Sequence, residues 1–341
     1  MSNLPTISIV SCTYNANIEL FEKVLKALRS QDYPRNLIDH IIMDGGSTNA
    51  TVKLAKRYGC RVFIRKDLKD EEQERASLGF KKAKGKILLI IQSDNLVMSK
   101  NWLRKMVQPF LDNNNVFCTF TSRYGYKKDM SATTRYGALI GANDPLISPY
   151  FLDKIEKIRM TTDKYNKGEV IFENRDYYTV KFDESNFPPL GDNGQMVLKK
   201  VMDKVNKSPK EYMHLDTFAK MFDLGYDTCG VVKSSIAHVI TPDLLHLVKR
   251  RIQLKEKFFD KNRKRRRYLI FDINSKKDKI NLFKFIVYST TFVVPLIQSI
   301  RGYLKIRDSA WFLHPILCFL MLVAYSYSEF AWVLRKTLGK V

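Results

Sequence analysis

Apolar residues along this chain fall into short continuous runs separated by stretches of helical spacing. Ile87–Ile91 is five consecutive aliphatics, bounded by Lys86 and the polar, acidic turn Gln92-Ser-Asp-Asn95. Such a run leaves no face for water, the pattern of a central strand in a parallel sheet. Three more strands are predicted ahead of it, at Thr6–Cys12, Ile38–Met43 and Arg61–Ile64. Between them, Ile18–Gln31 carries Ile18, Phe21, Val24, Leu25 and Leu28 at helical spacing before the break at Asp32-Tyr-Pro34. Thr51–Tyr58 reads as a second helix closed by Gly59 in a left-handed cap, and Glu72–Lys84 as a third. The order β-α-β-α-β-α-β predicts an α/β fold, a wound and mostly parallel sheet flanked by helices with right-handed crossovers.

The pattern then loosens. A helix from Trp102 and a strand at Val116–Thr121 continue the sheet to about Lys128. Gly141–Pro145 reads as a turn, Tyr150–Arg159 as a helix and Asp176–Phe182 as a strand. After the loop Pro188–Gly194, helices are predicted at Gln195–Val205 and Thr217–Leu224, the second with Asp216 as its N-capping acid and Gly225 closing it. Val231–His238 is the last strand.

Leu244–Phe259 is amphipathic and basic, with Leu245, Val248, Ile252 and Phe259 on one side and Lys249, Arg250, Arg251 and Lys255 elsewhere; Lys261–Arg267 is nearly all cationic. Two apolar stretches follow. Ile280–Ile300 has only Lys284 charged, and Ala310–Ser328 has no acid or base except His314. Each has the length that crosses a hydrocarbon core of roughly 30 Å, and Trp311, Tyr325, Tyr327 and Trp332 suit interfacial belts. A helical membrane hairpin is predicted, its basic flank against anionic membrane lipid. The positive-inside tendency puts the large domain on the cytoplasmic side of the cell membrane, although Arg301–Asp308 between the stretches also carries three cations. A hairpin lying in the interface without crossing is the rival reading.

Composition sharpens this. With 58 basic against 35 acidic side chains the net charge is +23, which demands an anionic partner: nucleic acid, anionic membrane or phosphorylated substrate. No interleaved aromatic platform accompanies the basic runs and the densest of them abuts the apolar stretches, so nucleic acid is not expected as the partner, and a basic nucleic-acid-binding protein is the weakest alternative. The five cysteines form no CxxC pair or metal-ligand spacing and read as reduced, mostly buried thiols. The start, Met-Ser-Asn-Leu-Pro, has no charged and apolar leader, so no cleavable signal is expected.

The candidate chemistry lies where strands end. Asp44 and Asp94 both follow strands directly, and in open α/β sheets ligands sit beyond such carboxyl ends. One carboxylate can accept from a base or ribose; the other can hold a hard divalent cation against a diphosphate, with phosphate and water completing its shell. Gly45 and Gly46 allow close backbone approach. Taken singly, each turn reads equally as an ordinary loop and N-cap.

Four pieces carry a resemblance: Ser-Ile-Val-Ser-Cys-Thr-Tyr-Asn, Ile-Ile-Met-Asp-Gly-Gly-Ser-Thr-Asn-Ala-Thr, Leu-Gly-Phe-Lys-Lys-Ala-Lys-Gly-Lys-Ile and Gln-Ser-Asp-Asn. In order and spacing they resemble the nucleotide-sugar-binding half of a family 2 glycosyltransferase of the GT-A (Rossmann-like) fold. The resemblance implies that Thr13, Asn15 and Asp44 surround the base and ribose, with Ser93 and Asp94 also on the donor. It implies that Asp94 is the metal-binding member of a DxD motif whose first acid is here Gln92, holding Mg²⁺ or Mn²⁺. Asn49 likewise stands where an acid is usual. His-Leu-Asp216 followed by Gly-Tyr resembles the Glu-Asp motif that supplies the base, with Leu215 for its first acid; Asp216 is the expected base and Asp192 the second candidate. His238 falls where relatives carry a histidine near the diphosphate or metal, whereas His40, His214, His246 and His314 are read as structural. The implied organisation is a donor half (1–110), an acceptor half (111–240), a basic interfacial segment (241–279) and two membrane helices (280–341). The implied activity is inverting transfer from a nucleoside-diphosphate sugar, a UDP-sugar above all, to a lipid-linked (polyprenyl-phosphate) or glycan acceptor in cell-surface polysaccharide or glycoconjugate assembly. The replaced acids leave a non-catalytic sugar-nucleotide-binding subunit as the alternative.

Overall fold

A computed structural model describes residues 4–183, 186–260 and 266–338. The first elements are β1 (Ile7–Thr13), α1 (Ile18–Arg29), β2 (Ile38–Asp44), α2 (Thr51–Arg57), β3 (Arg61–Ile64), α3 (Glu72–Lys82) and β4 (Ile87–Ile91), each within two residues of its predicted ends. Their local causes are visible. Asn17 caps α1 by accepting from the Leu20 N–H, and Gly59 takes φ +76° after α2. The face of α1 that carries Phe21 and Leu25 packs with Ile42 of β2 and Leu54 of α2, each such side chain stabilising the fold by about 1.5–3 kcal/mol. There follow β5 (Asn95–Val97), α4 (Trp102–Asp112), β6 (Cys118–Tyr124), α5 (Ala132–Ile140), β7 (Glu169–Glu173), β8 (Tyr177–Lys181), β9 (Asn193–Leu198), α6 (Lys199–Val205), α7 (His214–Asp223) and β10 (Thr228–His238).

One sheet holds all ten strands in the order β3-β2-β1-β4-β9-β6-β10-β8-β7, with β5 paired to β10. β1, β2, β3 and β4 run parallel, as do β6 and β10. β9 lies antiparallel between β4 and β6, Val197 facing both Leu88 and Cys118. The sheet is therefore mixed, and the carboxyl ends of β1, β2, β4, β6 and β10 share one edge with the start of β9.

Three predicted elements differ. Residues 195–198 belong to strand β9, and only Lys199–Val205 is helical, because β4 and β6 supply hydrogen-bonding partners on both sides. Residues 150–159 form turns, with Asp153 N–H donating to the Ser148 carbonyl at 3.0 Å and Lys154 N–H to that of Ile147 at 2.9 Å. Asp216 is no N-cap: α7 starts at His214, with Met213 in the cap position and Asp216 inside the first turn.

The chain divides into two compact units, residues up to Gly125 with Tyr165–His238, and Tyr126–Lys164 with residues from Val239 onward. The segment 126–164 thus belongs with the C-terminal helices, not with the acceptor half (111–240). Those helices are α8 (Leu244–Leu254), continued by a helical turn at Lys255–Asp260, α9 (Lys276–Thr291), α10 (Val293–Lys305) and α11 (Leu313–Thr337). Of the cationic run 261–267, residues 261–265 lie outside the described residues. The predicted apolar span 280–300 is two helices meeting at 87°, with Phe292 between them at φ +60°. Among the described residues, Ser309–Thr337 is the one unbroken helix long and apolar enough to cross a membrane.

Candidate active site

Register places the first half of the site. Thr13 at the end of β1 faces Asp44 at the end of β2, and the Thr13 hydroxyl donates to Asp44 Oδ2 at 2.7 Å. Asp44 is fully buried, and it also accepts from the Gly46 N–H (2.8 Å), the Ser47 N–H (2.7 Å) and the Ser47 hydroxyl (2.6 Å). A carboxylate has about four acceptor sites, so this one is filled by Thr13 and its own turn. Asn15, in the left-handed region at φ +46°, ties the β1 loop to that turn. Its N–H donates to Ser47 Oγ at 2.8 Å and its side-chain oxygen accepts from the Thr48 N–H at 2.8 Å. Asn49 accepts from the Thr51 N–H and hydroxyl at the start of α2, a service an amide oxygen performs as well as a carboxylate. The two loops form one knitted wall. Gly46 permits it: φ is +88° and a Cβ would stand 2.6 Å from Lys66 Cγ.

The second half collects around Asp94. His238, the last residue of β10, faces Asn95 of β5, and its Nε2 lies 3.5 Å from Asp94 Oδ2. Asn95 Nδ2 donates to Asp94 Oδ1 at 3.2 Å and to Asn193 Oδ1 at 3.4 Å. Asn193 in turn donates to the Tyr124 hydroxyl at 3.2 Å. Gln92, in place of an acid, donates to Asp192 Oδ2 at 2.7 Å, so the runner-up carboxylate stands beside the position where the first acid of the DxD motif would be. The termini of four strands and two loops thus converge on one cluster.

Asp94 and His238 fit a divalent cation. Two ligands about 2.1 Å from one ion stand roughly 3.0–3.5 Å apart, close to the separation seen here, and both side chains are partly open to solvent. Among the described residues no set of three or more His, Cys, Asp and Glu gathers for a metal, so phosphate and water would complete the shell, as is usual for a cation bridging a diphosphate.

The two candidate bases differ in setting. Asp192 is partly exposed at the cluster, whereas Asp216 is 4% exposed within the first turn of α7. The start of α7 is anchored by the His214 N–H donating to Gln73 Oε1 of α3 at 3.0 Å, and its imidazole lies 3.6 Å from a Cβ built at Gly191. His214, read from sequence as structural, therefore borders the loop that presents Asp192. Burial, reinforced by Asp192, raises the Tyr212 phenol well above its ordinary pKa. Burial does the same to the Cys12 thiol, aided by Glu72 and Asp192. Both groups stay neutral beside the carboxylate.

Sequence reasoning missed the Gln92–Asp192 bond, Tyr124 and Arg75. Arg75 is 2% exposed and donates to the Lys69 carbonyl at 2.6 Å and to that of Leu68 beneath Gly45. The one available signal for it was an arginine on the apolar side of a helix.

Comparisons with known proteins bear on the family and the fold. The sequence model described as Glycosyl transferase family 2 matches residues 8–178. Glycosyltransferase AglE of Haloferax volcanii is 24% identical over 139 residues, 40% of this chain and 45% of that protein. This chain therefore aligns with less than half the length of that curated relative. Among solved structures, the mannosyltransferase PcManGT of Pyrobaculum calidifontis, in complex with GDP-Man and Mn²⁺, superposes with a TM-score of 0.53 at 13% identity, covering 96% of this chain and 88% of that one. At that identity the likeness establishes the fold. Glucosyl-3-phosphoglycerate synthase of Mycobacterium tuberculosis, at 17% identity and TM-score 0.43 over 74% and 79% of the chains, is too loose a match to carry an argument.

Proposed function

Because the chain belongs to glycosyl transferase family 2, we propose that it moves a sugar from a nucleoside-diphosphate donor to a lipid-linked or glycan acceptor at a membrane, with inversion at the anomeric carbon. The observation that carries this reading is the pairing of Asp94 with His238, 3.5 Å apart, on the same sheet edge as the loop wall built by Asp44. Asn15, Thr13 and the turn after Asp44 line the base and ribose; Asp44 itself holds that turn in shape. Ser93 and Asp94 face the diphosphate. A bound Mg²⁺ or Mn²⁺ would neutralise charge on the departing nucleoside diphosphate. The Pyrobaculum enzyme holds GDP-Man with Mn²⁺; a UDP-sugar is the donor we favour for this chain.

Asp216 takes the proton of the acceptor hydroxyl in this reading, on the strength of the motif it resembles. A second reading gives that task to Asp192, favoured by its exposure and by its bond to Gln92. The apolar C-terminal helices and their basic flank suit an anionic lipid surface on the cytoplasmic side, and a polyprenyl-phosphate acceptor would be met there.

Membranes carrying the chain, supplied with a panel of labelled nucleotide sugars, test this. The expected result is label entering the lipid extract or a glycan from one donor, with a loss of about 10²–10⁴-fold in turnover for the →Asn variant of whichever aspartate is the base. Donor binding without any transfer or hydrolysis would identify a non-catalytic subunit instead.

A further inference from the structure

The polar contacts of the C-terminal unit decide how its apolar surface meets a bilayer, an inference that rests on the membrane association proposed above. α9 begins where Asp278 Oδ2 lies 3.3 Å from Lys154 Nζ. α10 ends where Lys305 Nζ lies 3.5 Å from the Thr161 carbonyl. Three residues later, Arg135 Nε contacts both Asp308 oxygens at 3.1 Å. Lys154, Thr161 and Arg135 all belong to the segment 126–164, so the α9–α10 pair leaves that segment and returns to it. A single bent span, with its ends on opposite sides of the bilayer, could not do so, and with 16 and 13 residues neither arm crosses alone.

The dimensions agree. At 1.5 Å per residue the arms are about 24 and 20 Å long, and at an 87° bend their apex stands about 15 Å from the line joining their ends, the depth of one leaflet. Charge is distributed to match. Exposed Lys276, Lys277 and Lys279 mark one mouth of the wedge and Arg301, Lys305 and Arg307 the other, with no charge from Phe285 to Ile300. Gln298 in the second arm is satisfied inside the unit by His314 Nε2 at 2.9 Å.

α11 is not dressed as a spanning helix either. Ile316, Phe319, Val323, Tyr327, Phe330 and Leu334 form a single exposed stripe at spacings of three and four. The other side meets polar groups at its start and through its C-terminal half. His314 bonds the Tyr136 hydroxyl at 2.8 Å, and the Tyr325 hydroxyl donates to Asp144. Ser328 and Glu329 lie 3.2 and 3.7 Å from Lys255, and Arg335 lies 3.4 Å from Glu256. These last partners follow α8, which packs along α11 and exposes Lys249 and Arg250. A crossing α11 would drag that cationic helix through hydrocarbon.

We propose that this unit anchors the chain in one leaflet only: α9 and α10 form a re-entrant wedge with its apex at Phe292, α11 lies along the interface on its apolar stripe, and no segment crosses. The partner is an anionic lipid monolayer, which answers both the stripe and the cations at the two mouths.

Single cysteines introduced as Lys23→Cys, Val293→Cys, Arg307→Cys and Lys336→Cys, in the full chain, test it with a membrane-impermeant maleimide on sealed vesicles. The native cysteines are all buried and give a low background. The expected result is labelling of positions 23, 307 and 336 from the same side without detergent, and of position 293 only after detergent. Labelling of 307 or 336 from the opposite side, or of 293 in intact vesicles, overturns the one-leaflet anchor while leaving membrane association standing. A chain that fails to float with the vesicles defeats both.

Discussion

Replacing Asp44 probes the loop wall proposed above to line the donor. The buried carboxylate accepts four hydrogen bonds at 2.6–2.8 Å, two from backbone N–H groups and two from hydroxyls. In Asp44→Asn the remaining oxygen can serve the Gly46 and Ser47 N–H groups, and the new amide can donate to the Thr13 and Ser47 hydroxyls, which rotate to accept. The loss is then mainly charge assistance, about 1–2 kcal/mol. Asp44→Ala leaves two backbone donors without an acceptor and opens a void, and should cost about 3–5 kcal/mol. Urea denaturation of the two variants beside the wild type reads these values from the midpoint at constant slope. Donor-nucleotide affinity should fall in the same order, by at least about tenfold for Asp44→Ala, roughly 1.4 kcal/mol. An Ala variant within 1 kcal/mol of wild type, or an Asn variant no more stable than Ala, would refute the role given to this carboxylate.

Two further outcomes follow from packing and burial. At Gly79 on α3, a Cβ would stand 2.6 Å from Val10 Cγ1 and 2.9 Å from Met43 Cγ; Gly79→Ala should therefore cost about 1–3 kcal/mol by overpacking, read as a lowered Tm. His40 is pushed down to about 4 by burial on β2, where Ser11 Oγ lies 3.3 Å from its Nε2. Its folded pKa lies below the unfolded value of about 6.5, so its neutral form contributes fully above that pH and the contribution is lost as pH falls through 4. Denaturant titrations should show the wild type losing about 1–3 kcal/mol more stability than His40→Asn as pH falls across that window, and parallel pH profiles for the two proteins would contradict the assignment.

The first hundred or so residues were legible because their elements agree at every level. The aliphatic run of β4, the helical spacing in α1 and the glycine after α2 each specify the same local structure that the sheet requires. β9 was read as helix because Gln195-Met-Val-Leu runs into a true helix with no punctuation, and a strand buried on both faces has no alternation to betray it. Only its pairing with β4 and β6, contacts across about a hundred residues of sequence, decides the matter. α5 is buried at seven of its nine residues, so it lacks the polar face that marks an amphipathic helix. The site shows the same division. Asp44 and Asp94 announce themselves by following strands directly, whereas the approach of Gln92 to Asp192 and of His238 to Asp94 exists only once the sheet order is known. The broken α9–α10 pair was hidden because composition gives apolar length and says nothing of an 87° bend at Phe292.

The most direct test of the donor site is Mn²⁺ binding followed by electron paramagnetic resonance in the presence of a nucleoside diphosphate. The wild type should take up one Mn²⁺ only when the nucleotide is present, and Asp94→Asn and His238→Ala should each weaken that uptake by about 10–100-fold with the fold intact by circular dichroism. Nucleotide-dependent Mn²⁺ binding of unchanged strength in both variants would contradict the assignment of this sheet edge as the place where metal and diphosphate are held.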